Sequence, residues 1–167
     1  MAWEVEDYYY DIKEGEEILA FLSTLKKLRG GLYFDPDLLR PWSCDPDRCR
    51  PLLGRNLCCK VEMRCHAFNF GVCGIHENKP FSCALFPMEI IRVGSLRAVL
   101  SAENPLLYEK AWTRYDRDML KCFVGDMKSR STLFEVQDFI IEKVFTKAEA
   151  QLLRAAHEAL KSEQEQD

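Results

Sequence analysis

Residues 44–87 read CDPDRCRPLLGRNLCCKVEMRCHAFNFGVCGIHENKPFSCALFP, and this stretch contains seven of the eight cysteines of the chain. They are Cys44, Cys49, Cys58, Cys59, Cys65, Cys73 and Cys83. Thiols at this density are either oxidised to disulfides or ligate metal as thiolates, and the two fates belong to different compartments. The interpretation of this stretch therefore governs the interpretation of the whole chain.

The rest of the chain favours reduced thiols. Residues 1–43 and 123–167 contain no cysteine, whereas small disulfide-stapled proteins spread theirs along the sequence. The acidic start, Met1 to Asp7, lacks the basic residues and apolar run of a signal peptide, and no apolar run is long enough to span a bilayer. We expect a cytoplasmic protein with no membrane association; an exported, disulfide-stapled protein is the alternative.

Charge narrows the class of partner. The 167 residues carry a formal net charge of -4, which argues against nucleic acid, because affinity for the phosphate backbone requires clustered Lys and Arg. Between Arg40 and His66, however, six basic residues accompany three acidic ones. Positive charge near cysteines favours the thiolate that binds metal, although a solvated basic loop would show the same pattern.

Periodicity predicts several elements. Apolar residues at helical spacing from Ile18 to Leu28, followed by Gly30 and Gly31, predict an amphipathic helix with a glycine stop. Two β-prone runs, 90–93 and 96–100, are separated by Gly94-Ser95 and predict a hairpin. Helices are predicted over 104–123, over 133–144, and from the capping box at Thr146 through Leu160, with a frayed polar tail at 161–167.

These elements together predict a mainly α fold, α+β in detail. We expect a single helical domain over residues 1–167 with one short β-hairpin. The cysteine-rich segment 44–87 would be an irregular metal-binding insert within it, because residues 32–87 show no sustained period. A loop that long needs a source of order, and bound metal would supply it.

The cysteine spacing bears on which metal is bound. Structural zinc and a cubane iron–sulfur cluster each need four ligands, and close C-x2-C pairs typical of zinc are absent. This favours a [4Fe–4S] cluster, with Zn²⁺ as the alternative. Cys58 and Cys59 are adjacent, and a Cα separation of about 3.8 Å is too short for a disulfide between them. His76 and Cys122 are further candidate ligands; a loop histidine is more often solvated, and Cys122 more often a buried free thiol.

The cysteine segment also resembles a known family. Cys58-Cys59, then Cys65, then the block from Gly71 to Pro87 are similar to the YkgJ-like cysteine-cluster proteins, whose domain is described as zinc- or iron-chelating. The resemblance covers roughly residues 44–87. It implies that Cys58, Cys59, Cys73 and Cys83 correspond to family cysteines. Lys79-Pro80 stands where the family has Arg-Pro, and His76 stands where a tyrosine is common.

The sequence thus predicts a protein that holds an iron–sulfur cluster or zinc through thiolates between Cys44 and Cys83, with a redox or metal-handling role. Two alternatives stay open. One is a cluster-dependent modifying enzyme, either an oxidoreductase or methylase-like, since the segment is also similar to part of the flagellin lysine methylases. The other is a zinc-stabilised module that binds a protein partner. No nucleotide loop and no HExxH helix is present, so no catalytic residue, reaction or oligomeric state is assigned.

Overall fold

The computed structural model describes residues 10–11, 16–41, 68–69, 72–73, 85, 88–101 and 131–167. The helices in these ranges are α1 (Glu16–Leu22), α2 (Leu133–Val144) and α3 (Lys147–Gln166). The strands are β1 (Tyr10–Asp11), β2 (Lys26–Lys27), β3 (Leu32–Phe34), β4 (Phe68–Asn69), β5 (Val72–Cys73), β6 (Met88–Val93) and β7 (Leu96–Ser101). Within the same ranges, no helix combines the length and the apolar character needed to cross a lipid bilayer.

The hairpin of β6 and β7 is the best-formed part of the sheet. The two strands pair antiparallel from Met88 opposite Ser101 to Val93 opposite Leu96. Gly94, the first residue of the two-residue turn, has φ of 58°, a conformation that glycine adopts at little cost and that such turns require. The predicted hairpin is confirmed, and both strands are longer than the sequence suggested.

The hairpin belongs to a larger sheet, and the predicted fold class is therefore wrong. Five strands are joined in the order β1-β6-β7-β3-β2, with β1 parallel to β6 and β3 parallel to β7. The described residues form a small α+β arrangement with a mixed sheet, not a helical domain with one hairpin. Strands β1 to β3 have two or three residues, too few to show alternation, and the parallel partners of β1 and β3 lie far away in sequence.

The predicted first helix is correct only in its first half. Helix α1 ends at Leu22, because the hydroxyls of Ser23 and Thr24 donate to the carbonyls of Ala20 and Phe21 and close the last turn. The next residues turn into β2, which pairs antiparallel with β3. Gly30 and Gly31, with φ of 70° and 71°, form the turn between these strands and are not a helix stop.

The two C-terminal helices follow the sequence closely. Thr132 and Thr146 are the N-caps of α2 and α3, and each forms a reciprocal capping box with the glutamate three residues later. The predicted helix over 133–144 and the capping box at Thr146 are confirmed. Helix α3 continues beyond the expected end at Leu160 to Gln166, so most of the polar segment 161–167 is helical in the structure.

The sheet is buried on both faces. One face packs with α2 and α3 in a cluster that includes Phe34, Met88, Ile90, Val99, Phe134, Ile141 and Leu153. The opposite face packs with α1 in a cluster of Ile18, Leu22, Leu25, Ile91, Val93, Ala98 and Leu100. Along β6, Met88 and Ile90 belong to the first cluster and Ile91 and Val93 to the second, as expected for a strand that is covered on both faces.

An ion pair joins the sheet to the start of α3. The guanidinium of Arg97 on β7 donates to the carboxylate of Glu149 and lies 5.3 Å from the centre of the Phe145 ring. Burial alone would raise the pKa of Glu149, but hydrogen bonds from Arg97 and from the backbone of Thr146 outweigh it and lower the pKa below its ordinary value of 4.5. Glu149 therefore ionises more readily in the folded state than in the unfolded state.

This ion pair predicts a specific acid dependence. Because the folded state lowers the pKa of Glu149, its stabilisation is complete above pH 4.5 and is lost as the pH falls through the folded-state value. Glu149→Gln is expected to lower the free energy of unfolding by about 1 kcal/mol at pH 7, and by progressively less below pH 4.5. Urea unfolding at a series of pH values measures this; in an Arg97→Met background the same substitution should lose most of its pH dependence.

Candidate functional site

A groove between α2 and α3 forms a cavity of about 320 Å³ close to the N-terminus of α2. It is lined by Phe134, Glu135, Asp138, Arg154, His157 and Glu158. Carboxylates from both helices therefore face one space, together with one imidazole and one guanidinium.

His157 is the buried polar group of the groove. Its side chain is 2 % exposed and stacks on Phe134, with ring centres 5.1 Å apart. Both ring nitrogens have partners: Nε2 lies 2.8 Å from Thr132 Oγ1, and Nδ1 lies 3.2 Å from Glu158 Oε1. The ring is thus fixed in orientation, with its Nδ1 edge toward the more exposed Glu158.

The capping box of α2 determines the hydrogen-bonding role of Thr132. Its Oγ1 accepts the backbone N–H of Glu135 at 3.1 Å, while Glu135 Oε2 accepts the backbone N–H of Thr132 at 2.8 Å. The hydroxyl hydrogen of Thr132 is then available to His157 Nε2. When Thr132 donates this hydrogen to Nε2, a neutral His157 has its proton on Nδ1, facing Glu158 Oε1.

Glu135 is also paired with a lysine across the groove. Its Oε1 accepts from Lys161 Nζ at 2.6 Å. The hydrogen bond from Lys161 is the main reason that the pKa of Glu135 lies below its ordinary value, and the same bond raises the pKa of Lys161. Glu135 is accordingly an ionised carboxylate with one oxygen in the capping box and the other facing a mobile ammonium.

Arg154 and Asp138 form a second cross-helix pair. Arg154 Nε and Nη2 donate to the two carboxylate oxygens of Asp138 at 2.7 Å and 3.0 Å, a bidentate arrangement, and Nη1 reaches Glu142 at 3.3 Å. Hydrogen bonding to Asp138 raises the pKa of Arg154 above its ordinary value. This part-exposed pair bridges α2 and α3.

Glu135, His157 and Glu158 have the donor chemistry of a metal site. One potential ligand atom from each lies within 4.8 Å of the others. Carboxylate oxygen and imidazole nitrogen are common ligands of zinc and other divalent first-row ions. Among the described residues, this group is the most concentrated set of titratable side chains facing a cavity.

Sequence reasoning missed this group. Thr132 and Glu135 have the same capping-box spacing that identified Thr146 and Glu149, and this would have located the start of α2. His157 follows Leu153 by four residues, which places it on the buried face of α3. The sequence does not show that α2 packs against α3, and it is this packing that brings Glu135 close to His157.

The structure places one of the predicted metal ligands. Cys73 is in β5, which pairs antiparallel with β4 so that Phe68 lies opposite Cys73 and Asn69 opposite Val72. The other candidate ligands lie outside the described residues: Cys44, Cys49, Cys58, Cys59, Cys65, His76, Cys83 and Cys122. The predicted helix over 104–123 lies outside them as well.

Comparison of the chain with protein-family models, with curated proteins and with solved structures finds no match.

Proposed function

We propose that this chain is a metal-binding protein of a reducing compartment, in which thiolates between Cys44 and Cys83 hold an iron–sulfur cluster or zinc. The observation that carries the proposal is the density of thiols: seven of eight cysteines fall in this one segment. The resemblance of the segment to the YkgJ-like cysteine-cluster proteins supports the same function.

The anchoring of the segment's ends supports the proposal. At its start, Pro41 forms a β-bridge with Thr132, and the backbone N–H of Leu133 donates to Arg40 O at 2.8 Å. At its end, Leu85 is 1 % exposed in the core that packs against α2 and α3. The cysteine segment therefore begins and ends at the same core.

A long segment with fixed ends benefits from an internal crosslink. The entropic cost of ordering so many residues is large. Metal–thiolate bonds form only when the ligands converge, so their free energy contributes directly to folding. The antiparallel pairing of Phe68 with Cys73 places the backbone of one candidate ligand in a strand.

The proposed ligands are Cys58, Cys59, Cys73 and Cys83, the positions that match the family pattern. Four thiolates suit a [4Fe–4S] cluster, one cysteine for each iron, and would equally complete a tetrahedral zinc site. A bound cluster would supply one-electron chemistry, whereas zinc would supply structural order alone. The chain's own residues would provide the thiolates, the backbone contacts of Arg40 and Pro41 before them and the buried Leu85 after them.

The proposal is tested by anaerobic purification followed by measurement of iron, zinc, acid-labile sulfide and visible absorption per chain. Stoichiometric iron with matching sulfide identifies a cluster, and stoichiometric zinc without sulfide identifies a zinc site. A chain that contains neither metal in stoichiometric amount, or whose native cysteines are not titratable as thiols after metal removal, would contradict the proposal.

Cysteine variants locate the ligands. Cys83→Ser and Cys59→Ser are expected to lose most of the bound metal, because a hydroxyl replaces a thiolate in the first coordination sphere. Cys122→Ser is the matched control, since Cys122 is the one cysteine outside the segment, and it is expected to retain the metal. Equal metal loss in all three variants with an unchanged circular dichroism spectrum would identify Cys122 as a further ligand, whereas the same loss with a changed spectrum would show general unfolding.

A further inference from the structure

We propose that Glu135, His157 and Glu158 form a second metal site, independent of the cysteines, for a single divalent ion of the zinc class. The site lies in the groove between α2 and α3, where α2 supplies Glu135 and α3 supplies the adjacent pair. Its ligands are one nitrogen and two carboxylate oxygens, so it would be chemically distinct from the thiolate site.

The separation of the ligand atoms is close to that of a bound site. One ligand atom from each residue lies within 4.8 Å of the others, and ligand atoms around zinc lie about 2.0–2.2 Å from the ion. The three must draw together slightly on binding. Glu158, whose side chain is 70 % exposed, is free to make most of that movement, while His157 is held in the core.

The hydrogen-bond partner of His157 Nε2 fixes the ring in an orientation that leaves Nδ1 to bind a metal. Protein-bound imidazoles usually ligate through one nitrogen while the other donates to an oxygen that fixes the ring. Thr132 Oγ1, 2.8 Å from Nε2, is that oxygen. When a metal takes Nδ1, the ring proton moves to Nε2 and Thr132 Oγ1 changes from donor to acceptor; metal coordination replaces the hydrogen bond from Nδ1 to Glu158.

Lys161 is the competitor for the site. Its ammonium lies 2.6 Å from Glu135 Oε1 and occupies the position that a cation would take. Asp138 lines the same cavity, but both of its carboxylate oxygens accept from Arg154, one from Nε and one from Nη2, so it is not available as a fourth ligand. Three protein ligands and an open cavity leave a fourth position to water, the coordination typical of accessible zinc sites.

The three histidines of the chain allow a direct test. His66 and His76 lie within the cysteine segment and report on ions bound there, whereas His157 reports on the groove. The protein is expressed with ¹⁵N-labelled imidazoles, purified with its own metal and then titrated with Zn²⁺. His66→Gln and His76→Gln assign the signals by elimination. Binding in the groove should shift both nitrogens of His157 and convert its tautomer from Nδ1–H to Nε2–H.

Four variants make the test specific. Glu158→Gln should weaken Zn²⁺ binding at His157 at least about tenfold, while Glu163→Gln, an exposed glutamate on the same helix, should leave it unchanged. Lys161→Met should tighten binding about three- to fivefold by releasing Glu135, whereas Lys147→Met, the same charge change at the far end of α3, should not. A gain in affinity cannot arise from misfolding.

The proposal is overturned if Zn²⁺ shifts only the signals of His66 or His76. It is also overturned if Glu158→Gln weakens binding no more than Glu163→Gln, or if Lys161→Met binds no more tightly than Lys147→Met. The metal content of the cysteine segment is measured in the same samples, so loss of the groove site is distinguished from loss of the thiolate site.

Discussion

Phe134→Ala is expected to lower the free energy of unfolding by about 3–5 kcal/mol. Phe134 is 2 % exposed at the first turn of α2, meets Phe34 edge-on with ring centres 5.2 Å apart, and stacks on His157. Its removal leaves a cavity where the sheet, α2 and α3 meet, because β3 and α3 are both held by other contacts and cannot collapse into the space. Urea unfolding followed by circular dichroism measures the change.

Helix α2 carries its own control for this prediction. Phe139, five residues later, is 62 % exposed, and Phe139→Ala removes the same atoms from the solvent-facing side of the helix. We expect a change within about 0.5 kcal/mol. The two substitutions alter helix propensity equally, so their difference measures burial alone. Similar losses from both would contradict the packing of α2 described above.

Local physical signals in the sequence predicted the elements that depend on them. Gly94-Ser95 between two β-prone runs fixed a hairpin, because only a few two-residue turns connect antiparallel strands. Thr146 and Glu149 fixed the start of α3, because the capping box is complete within four residues. The apolar period over 133–144 likewise predicted α2, since that helix buries one face against the sheet.

Features that depend on distant parts of the chain were not predictable in this way. The parallel pairing of β3 with β7 joins Leu32 to Arg97, and a three-residue strand carries no pattern that names its partner. The end of α1 depended on hydroxyl contacts from Ser23 and Thr24, which override an apolar spacing that continues to Leu28. The groove site forms only where α2 packs against α3, and the sequence does not show this packing. From the sequence alone, His157 was therefore one more residue of a predicted helix.

Asp35→Ala is the second large effect expected, a loss of about 2–4 kcal/mol in the free energy of unfolding. Asp35 is 3 % exposed, and its two carboxylate oxygens accept backbone N–H groups from different elements. Oδ1 accepts from Asp37 at 3.0 Å and caps the 3-10 helix Pro36–Leu39; Oδ2 accepts from Ser101 at 3.1 Å at the end of β7. The substitution removes both acceptors at once. The two N–H groups lie at a buried site, where water can replace the carboxylate only if it occupies a cavity.

A substitution at Asp37 separates the effect of the lost hydrogen bonds from the effect of the lost negative charge. Asp37 is exposed in the first turn of the same 3-10 helix, so Asp37→Ala changes the net charge equally but should cost less than about 0.5 kcal/mol. Asp35→Asn should fall between the two, because its amide keeps one carbonyl acceptor for one of the two N–H groups. Denaturant unfolding of the three variants at neutral pH tests this order. Equal losses from Asp35→Ala and Asp37→Ala would show that the hydrogen bonds from Asp37 and Ser101 to Asp35 contribute no stability.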